Sequence, residues 1–209
     1  MYSFVFNFHF TTSGLRWYII VTMQQLLTQD DIYSILRSDE QLMNILRSIA
    51  SVFDSPWCVF GGQIRNRIWD VASGVLQPHA STDVDIGIFV PHDETIATAV
   101  AATLSSSFHH FDWDVENFGV SHIENHDEPY GNLEDGLRKQ LITVMSVGAT
   151  LNDNGELVLI SPLGFNDLLS CVVRPTPVII ANPERIPLIT KMIATKKWQE
   201  KWPNLQVVL

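Results

Sequence analysis

Two carboxylates, Asp83 and Asp85, stand one residue apart in Thr82-Asp83-Val84-Asp85-Ile86-Gly87-Ile88. Read as a strand, this segment sends Val84, Ile86 and Ile88 into a core and projects both acids from the opposite face. Acids held that close repel and raise one another's pKa, a conflict that a divalent cation removes. Mg2+, a hard ion bound by one or two carboxylates plus substrate phosphates, is the expected partner. Upstream, Gly61-Gly62 ends the apolar run Trp57-Cys58-Val59-Phe60 and opens a helical segment, Gln63 to Ser73. Glycine there lets backbone approach a ligand, and the helix start offers free N–H groups and a positive dipole end to a triphosphate. Arg65 and Arg67, two apart on a helix, cannot both point at it. Arg65, nearer the glycine turn, is expected on the phosphates and Arg67 in a structural role. A further strand, Phe111 to Asn117, aligns Asp112, Asp114 and Glu116 on one face. Asp114 is expected as the third carboxylate, with Glu116 as the alternative.

These acids need elements to hold them. Thr28 with Asp31, and Ser38 with Gln41, resemble helix-capping pairs, and Ile32, Ile35 and Leu36, then Leu42, Ile45, Leu46 and Ile49, follow at helical spacing. Further helices are expected over Asp93 to Ser107, around Asn166 to Ser170, and from Pro183 to Lys201. Strands are expected over Asp83 to Val90, Leu141 to Leu151 and Glu156 to Ile160. Asn152-Asp153-Asn154-Gly155 supplies the hairpin turn between the last two. Alternating strands and helices with a hairpin give an α/β (α+β) fold, a mixed sheet flanked by helices. Residues 23–209 are expected to form one domain. Residues 1–22 read as an N-terminal extension, in which Tyr2 to Phe10 has strand alternation and Met23 is an alternative start.

With 209 residues and 46% apolar content, the chain can bury a sizeable core. Its formal charge of −10 opposes non-specific DNA binding, because an acidic surface repels phosphate backbones. No stretch approaches the roughly 18 apolar residues of a membrane span, so no membrane association is expected. Cys58 and Cys171 form no CxxC pair, which suits reduced thiols and a cytoplasmic setting. His122 and His126 have the spacing of two ligands on one helix turn, too few for zinc. Asp70, Asp127, Asp135 and Asp167 read as caps or surface charges. The tryptophans read as packing.

Phe60-Gly61-Gly62-Gln63-Ile64-Arg65-Asn66-Arg67, then Thr82-Asp83-Val84-Asp85-Ile86, resembles the DNA polymerase β-like nucleotidyltransferase superfamily. Closer at hand, a bacterial nucleotidyltransferase-like family of unestablished substrate is similar from about Gln41 onward. That likeness includes Trp113-Asp114-Val115-Glu116-Asn117, His122, Pro129-Tyr130, Ser161 to Leu168, Val173-Arg174-Pro175 and Lys197 to Pro203. The resemblance implies transfer of a nucleoside monophosphate from a nucleoside triphosphate to a small-molecule, protein or RNA acceptor, with pyrophosphate released. It implies two Mg2+ ions on Asp83, Asp85 and Asp114, and phosphates on Gly61, Gly62 and Arg65. Asn117 and His122 are candidates for the acceptor pocket, with solvent exposure the alternative for His122; Arg174 could reach a phosphate, but pairing with an acidic neighbour is the favoured expectation for it. The family usually carries a basic residue where Glu116 stands, which favours Asp114. A nucleotide-binding module without turnover, and a regulatory or toxin–antitoxin-type interaction protein, are the competing expectations.

Overall fold

A computed structural model describes residues 2–5, 22–25 and 27–209 of the chain. Strands β1 (Tyr2–Val5) and β2 (Thr22–Gln25) pair antiparallel. Phe6 to Phe10, the rest of the expected alternating segment, lies outside the described residues.

Helix α1 (Gln29–Arg37) starts at Thr28, whose hydroxyl accepts from Asp31 N while the Asp31 carboxylate accepts from Thr28 N. Helix α2 (Glu40–Ala50) is capped by Asp39, which accepts from Leu42 N, and not by the expected Ser38. Asp39 suits the role because its carboxylate reaches the N3 donor and also pairs with Arg67 at 3.2 Å. Then come β3 (Trp57–Phe60), α3 (Gly62–Ala72), β4 (Asp83–Ile88), α4 (Ile96–Ser107) and β5 (Asp112–Asn117). They are followed by α5 (Phe118–Asn125), α6 (Leu133–Arg138) and the hairpin β6 (Gly148–Leu151) and β7 (Leu157–Ile160). The expected strand from Leu141 is shorter than its apolar run. Ile142 bridges to Pro175, Thr143 N donates to Arg174 O, and Thr143–Met145 turn as a 3-10 helix before β6 begins.

The main sheet runs β5-β4-β3-β6-β7, parallel only between β4 and β5. Val84, Ile86 and Ile88 are wholly buried, facing the principal core with Ile45, Ile49, Ile64 and Ile68. A second cluster, Cys58, Phe60, Phe118, Tyr130, Leu133 and Leu137, closes part of the opposite face. Gly87 is required there, since a Cβ would stand 2.5 Å from the Phe118 ring. The C-terminal half of β4 is thus roofed by α5 and α6, and its first half, with Asp83 and Asp85, stays open.

The remaining elements are α7 (Asn166–Leu169), β8 (Val172–Val173), α8 (Pro177–Ala181), α9 (Ile186–Lys196), α10 (Trp198–Lys201) and β9 (Gln206–Val207), which pairs with β8. The single expected helix from Pro183 to Lys201 is broken. Pro183–Arg185 form a 3-10 turn, and Lys197 adopts a left-handed conformation with φ 53°. That residue redirects the chain so that Trp198 and Trp202 both meet Trp69, at ring separations of 5.6 and 5.2 Å.

Asp70 corrects another expectation. It is 1% exposed and accepts bonds from His79 N (2.8 Å) and Trp202 Nε1 (2.7 Å), with the His79 ring Nδ1 at 2.6 Å. This carboxylate ties α3, the loop before β4 and the C-terminal tryptophan together. Asp70→Ala strands the Trp202 donor in the core and should cost about 2–4 kcal/mol of unfolding free energy, measured by urea denaturation.

Candidate active site

The parallel register of β4 and β5 sets Asp85 directly beside Asp114 and Asp83 beside Asp112. Residues paired across neighbouring strands share a face. Asp83, Asp85, Asp112, Asp114 and Glu116 therefore line one side of the sheet.

Gly61 turns the chain over this face. Its φ of 67° and ψ of −124° belong to a region that glycine alone enters readily, and a Cβ would lie 2.5 Å from Asp85 Oδ2. The turn brings Gly62 N to 3.4 Å from the same oxygen. Gln63, the next residue of α3, donates from Nε2 to Ser81 O at 3.1 Å and Asp83 O at 2.8 Å. One amide thus fixes the helix start against the beginning of β4.

The electrostatics follow from this crowding. Burial, first, and then the neighbouring Asp83 raise the Asp85 carboxyl above its ordinary 3.8. The Gly62 N–H and Lys196 oppose the rise, and Asp114 adds to it. Asp83 is half-exposed and lies 3.5 Å from Lys196 Nζ. Glu116 is also pushed up, chiefly by burial; Ser121 and Gln140 pull against it and Asp114 adds repulsion.

The nine residues expected at the site fall into two groups. Asp83, Asp85 and Asp114 share one face of the sheet, and Gly61 and Gly62 lie against Asp85. Arg65 is close but does not project onto an open phosphate surface. It is 3% exposed, its Cζ lies 4.1 Å from the Trp198 ring centroid, and its Nε and Nη2 donate to Asn66 Oδ1. Burial lowers its pKa to about 10 against the pull of Asp85 and Asp83. It serves as a counter-charge behind the acids. Asn117 is not available to a substrate, because its amide is spent on Val90 N and O, Asp93 O and Gly119 N. His122 stands on α5 with its ring 5.9 Å from Tyr130. Arg174 lies with Asp167, at 3.2 Å, and Asp167 also accepts from the Thr143 hydroxyl.

Sequence reasoning missed Gln63 and Lys196. Gln63 follows the glycine pair directly, and a glutamine at a helix start could have been read as a bridge. Lys196 carries no local signal, since Asp83 is far away in sequence.

Oxygen donors of this kind fit a hard divalent cation, which would offset both the burial of Asp85 and its repulsion from Asp83 and Asp114. Among the described residues, no three His, Cys, Asp or Glu side chains already converge on one point. Asp83 is instead turned to Lys196.

A family model described as nucleotidyltransferase matches residues 51–207. A CCA-adding enzyme head domain solved by NMR superposes with a TM-score of 0.75 at 28% identity, over 87% of this chain and 96% of that one. A CCA-adding enzyme in complex with CTP matches with a TM-score of 0.55 at 14% identity, over 86% of this chain and 43% of that one. An apo CCA-adding enzyme matches with a TM-score of 0.54 at 15% identity, over 85% and 42%. The chain spans less than half the length of these last two, and at such identities they show the fold alone. No curated protein matches the sequence significantly. No described helix is long and apolar enough to cross a membrane. With three-quarters of its length under that family model, the chain belongs to this nucleotidyltransferase family and is a transferase enzyme with the polymerase β-like fold.

Proposed function

We propose that the chain moves a nucleoside monophosphate from a nucleoside triphosphate to an acceptor hydroxyl and releases pyrophosphate. The observation that carries this reading is the alignment of Asp83, Asp85 and Asp114 on one sheet face, with the Gly61 turn set over Asp85.

The triphosphate would rest at the start of α3, where Gly61 and Gly62 let the backbone come close and free N–H groups meet phosphate oxygens. Asp83 and Asp85 would hold one Mg2+ and, with Asp114, a second; bound there, the ions supply charge neutralisation for the attacking and leaving oxygens. Asp114, exposed at the outer side of the pair, is open to an incoming acceptor. Gln63 keeps β4 and α3 in register, so the carboxylates and the phosphate cradle move as one unit. Arg65 offsets part of the acid charge from behind. The acidic balance favours a compact acceptor over a long phosphate backbone. We read residues 23–209 as the catalytic unit. The two buried free thiols, Cys58 and Cys171, suit a reducing cytoplasm.

Calorimetric titration of ATP, CTP, GTP and UTP, with and without Mg2+, tests the reading. At least one triphosphate should bind in a Mg2+-dependent way; silence from all four sinks it. The third carboxylate has its own test. Asp114→Asn should lower transfer at least about a hundredfold, and Glu116→Gln less than about tenfold, because only Asp114 adjoins Asp85. The reverse order would move the role to Glu116.

A further inference from the structure

Lys196 ends α9, and its Nζ lies 3.5 Å from Asp83 Oδ2. Both Lys196 and Asp83 are about half exposed, so this is not a buried structural pair. Exposed pairs of this kind add little to stability. The surrounding architecture, by contrast, is costly and specific. Lys197 takes a left-handed conformation immediately after Lys196, and Trp198 then packs its ring on the Arg65 guanidinium. Arg65 in turn lies beneath Gly62, with Nη2 3.9 Å from where a Gly62 Cβ would stand. The end of α9 is therefore anchored to the underside of the glycine turn, with one flexible ammonium left over the carboxylates.

We infer that Lys196 is a substrate-binding residue that grips the β- and γ-phosphates of the bound triphosphate, and that its contact with Asp83 belongs to the unliganded state. This rests on the transfer reading above. When Asp83 takes a divalent cation, an ammonium beside the same oxygen is repelled. The nearest new anion is the triphosphate at the start of α3. A lysine suits this exchange, since its point charge sits on four rotatable carbons and needs no fixed plane.

The measurement is binding of the four nucleoside triphosphates, their monophosphates and inorganic pyrophosphate, with Mg2+, to wild type, Lys196→Ala, Lys196→Arg and Asp85→Asn. Lys196→Ala should weaken triphosphates and pyrophosphate about 10- to 100-fold, the loss of one bond to a charged group, and monophosphates less than about threefold. Lys196→Arg should recover most of that loss, and the melting temperature should stay at the wild-type value. Equal weakening of mono- and triphosphates, or none, overturns the assignment. If Asp85→Asn loses all Mg2+-dependent binding while Lys196→Ala binds as wild type, the transfer reading stands and the Lys196 role alone falls. If wild type binds no triphosphate, both fall.

Discussion

Asp85→Asn should remove Mg2+-dependent transfer by at least about a thousandfold and leave the protein as stable as wild type or more so. The two halves of this result have one cause. Asp85 is largely withdrawn from water and stands beside Asp83 and Asp114, so its charge is unfavourable in the folded state. An acid whose folded pKa is raised contributes stability that is fully present below its unfolded value, 3.8, and lost as pH rises through the folded one. Above that range the wild type carries the repulsion and the asparagine variant does not. The variant's advantage in melting temperature should therefore grow as pH rises from 3.8 through the raised folded value. The amide oxygen can still accept from Gly62 N, which limits any loss. A variant that melts well below wild type would refute the charge argument, and one that keeps its turnover would remove Asp85 from the catalytic role.

Gly61→Ala carries the second large effect, and here fold and activity should fail together. The added Cβ meets Asp85 Oδ2 at 2.5 Å, and the backbone stands at a φ of 67° that an alanine adopts only under strain. Strain of this kind costs about 1–3 kcal/mol, before the displaced carboxylate is considered. The obstruction is the side chain of Asp85 itself, so relief must come by moving either the glycine turn or the Asp85 carboxylate. Transfer should fall at least about a hundredfold, with a lowered melting temperature. Gly62→Ala makes a useful control. A Cβ there meets nothing closer than 3.8 Å, so stability should be nearly retained. Comparable losses in the two variants would mean that the turn has no special geometry.

The polymerase β-like core was legible because its signals are local. Alternation around Asp83 and Asp85 predicts a strand with acids on one face, and the structure has that strand. The glycine pair between an apolar run and a helical one predicts the strand-to-helix turn that α3 opens. The hairpin turn at Asn152 to Gly155 and the cap at Thr28 were equally plain, since each rests on a few adjacent residues. Hidden were the places where distant segments compete for the same groups. Leu141 to Val147 read as strand by composition, but Ile142 and Thr143 pair with Pro175 and Arg174 and Thr143–Met145 turn as a 3-10 helix instead. The C-terminal helix read as continuous but is bent at Lys197, so that two tryptophans can reach α3.

At the site the same division holds. Residue type and period were enough to nominate Asp83, Asp85 and Asp114 and the glycine turn. Strand alternation also put Asp112, Asp114 and Glu116 on one face, and only the parallel register shows which acid each meets: Asp112 stands beside Asp83 and Asp114 beside Asp85. Arg65 and Asn117 were nominated by proximity in sequence, and tertiary packing spends one under Trp198 and the other on the Val90 loop. Lys196 was invisible because its meeting with Asp83 joins residues far apart in the chain, and no local propensity encodes such a contact. Periodicity reports which face a side chain leaves from, and only the folded chain decides what it meets there.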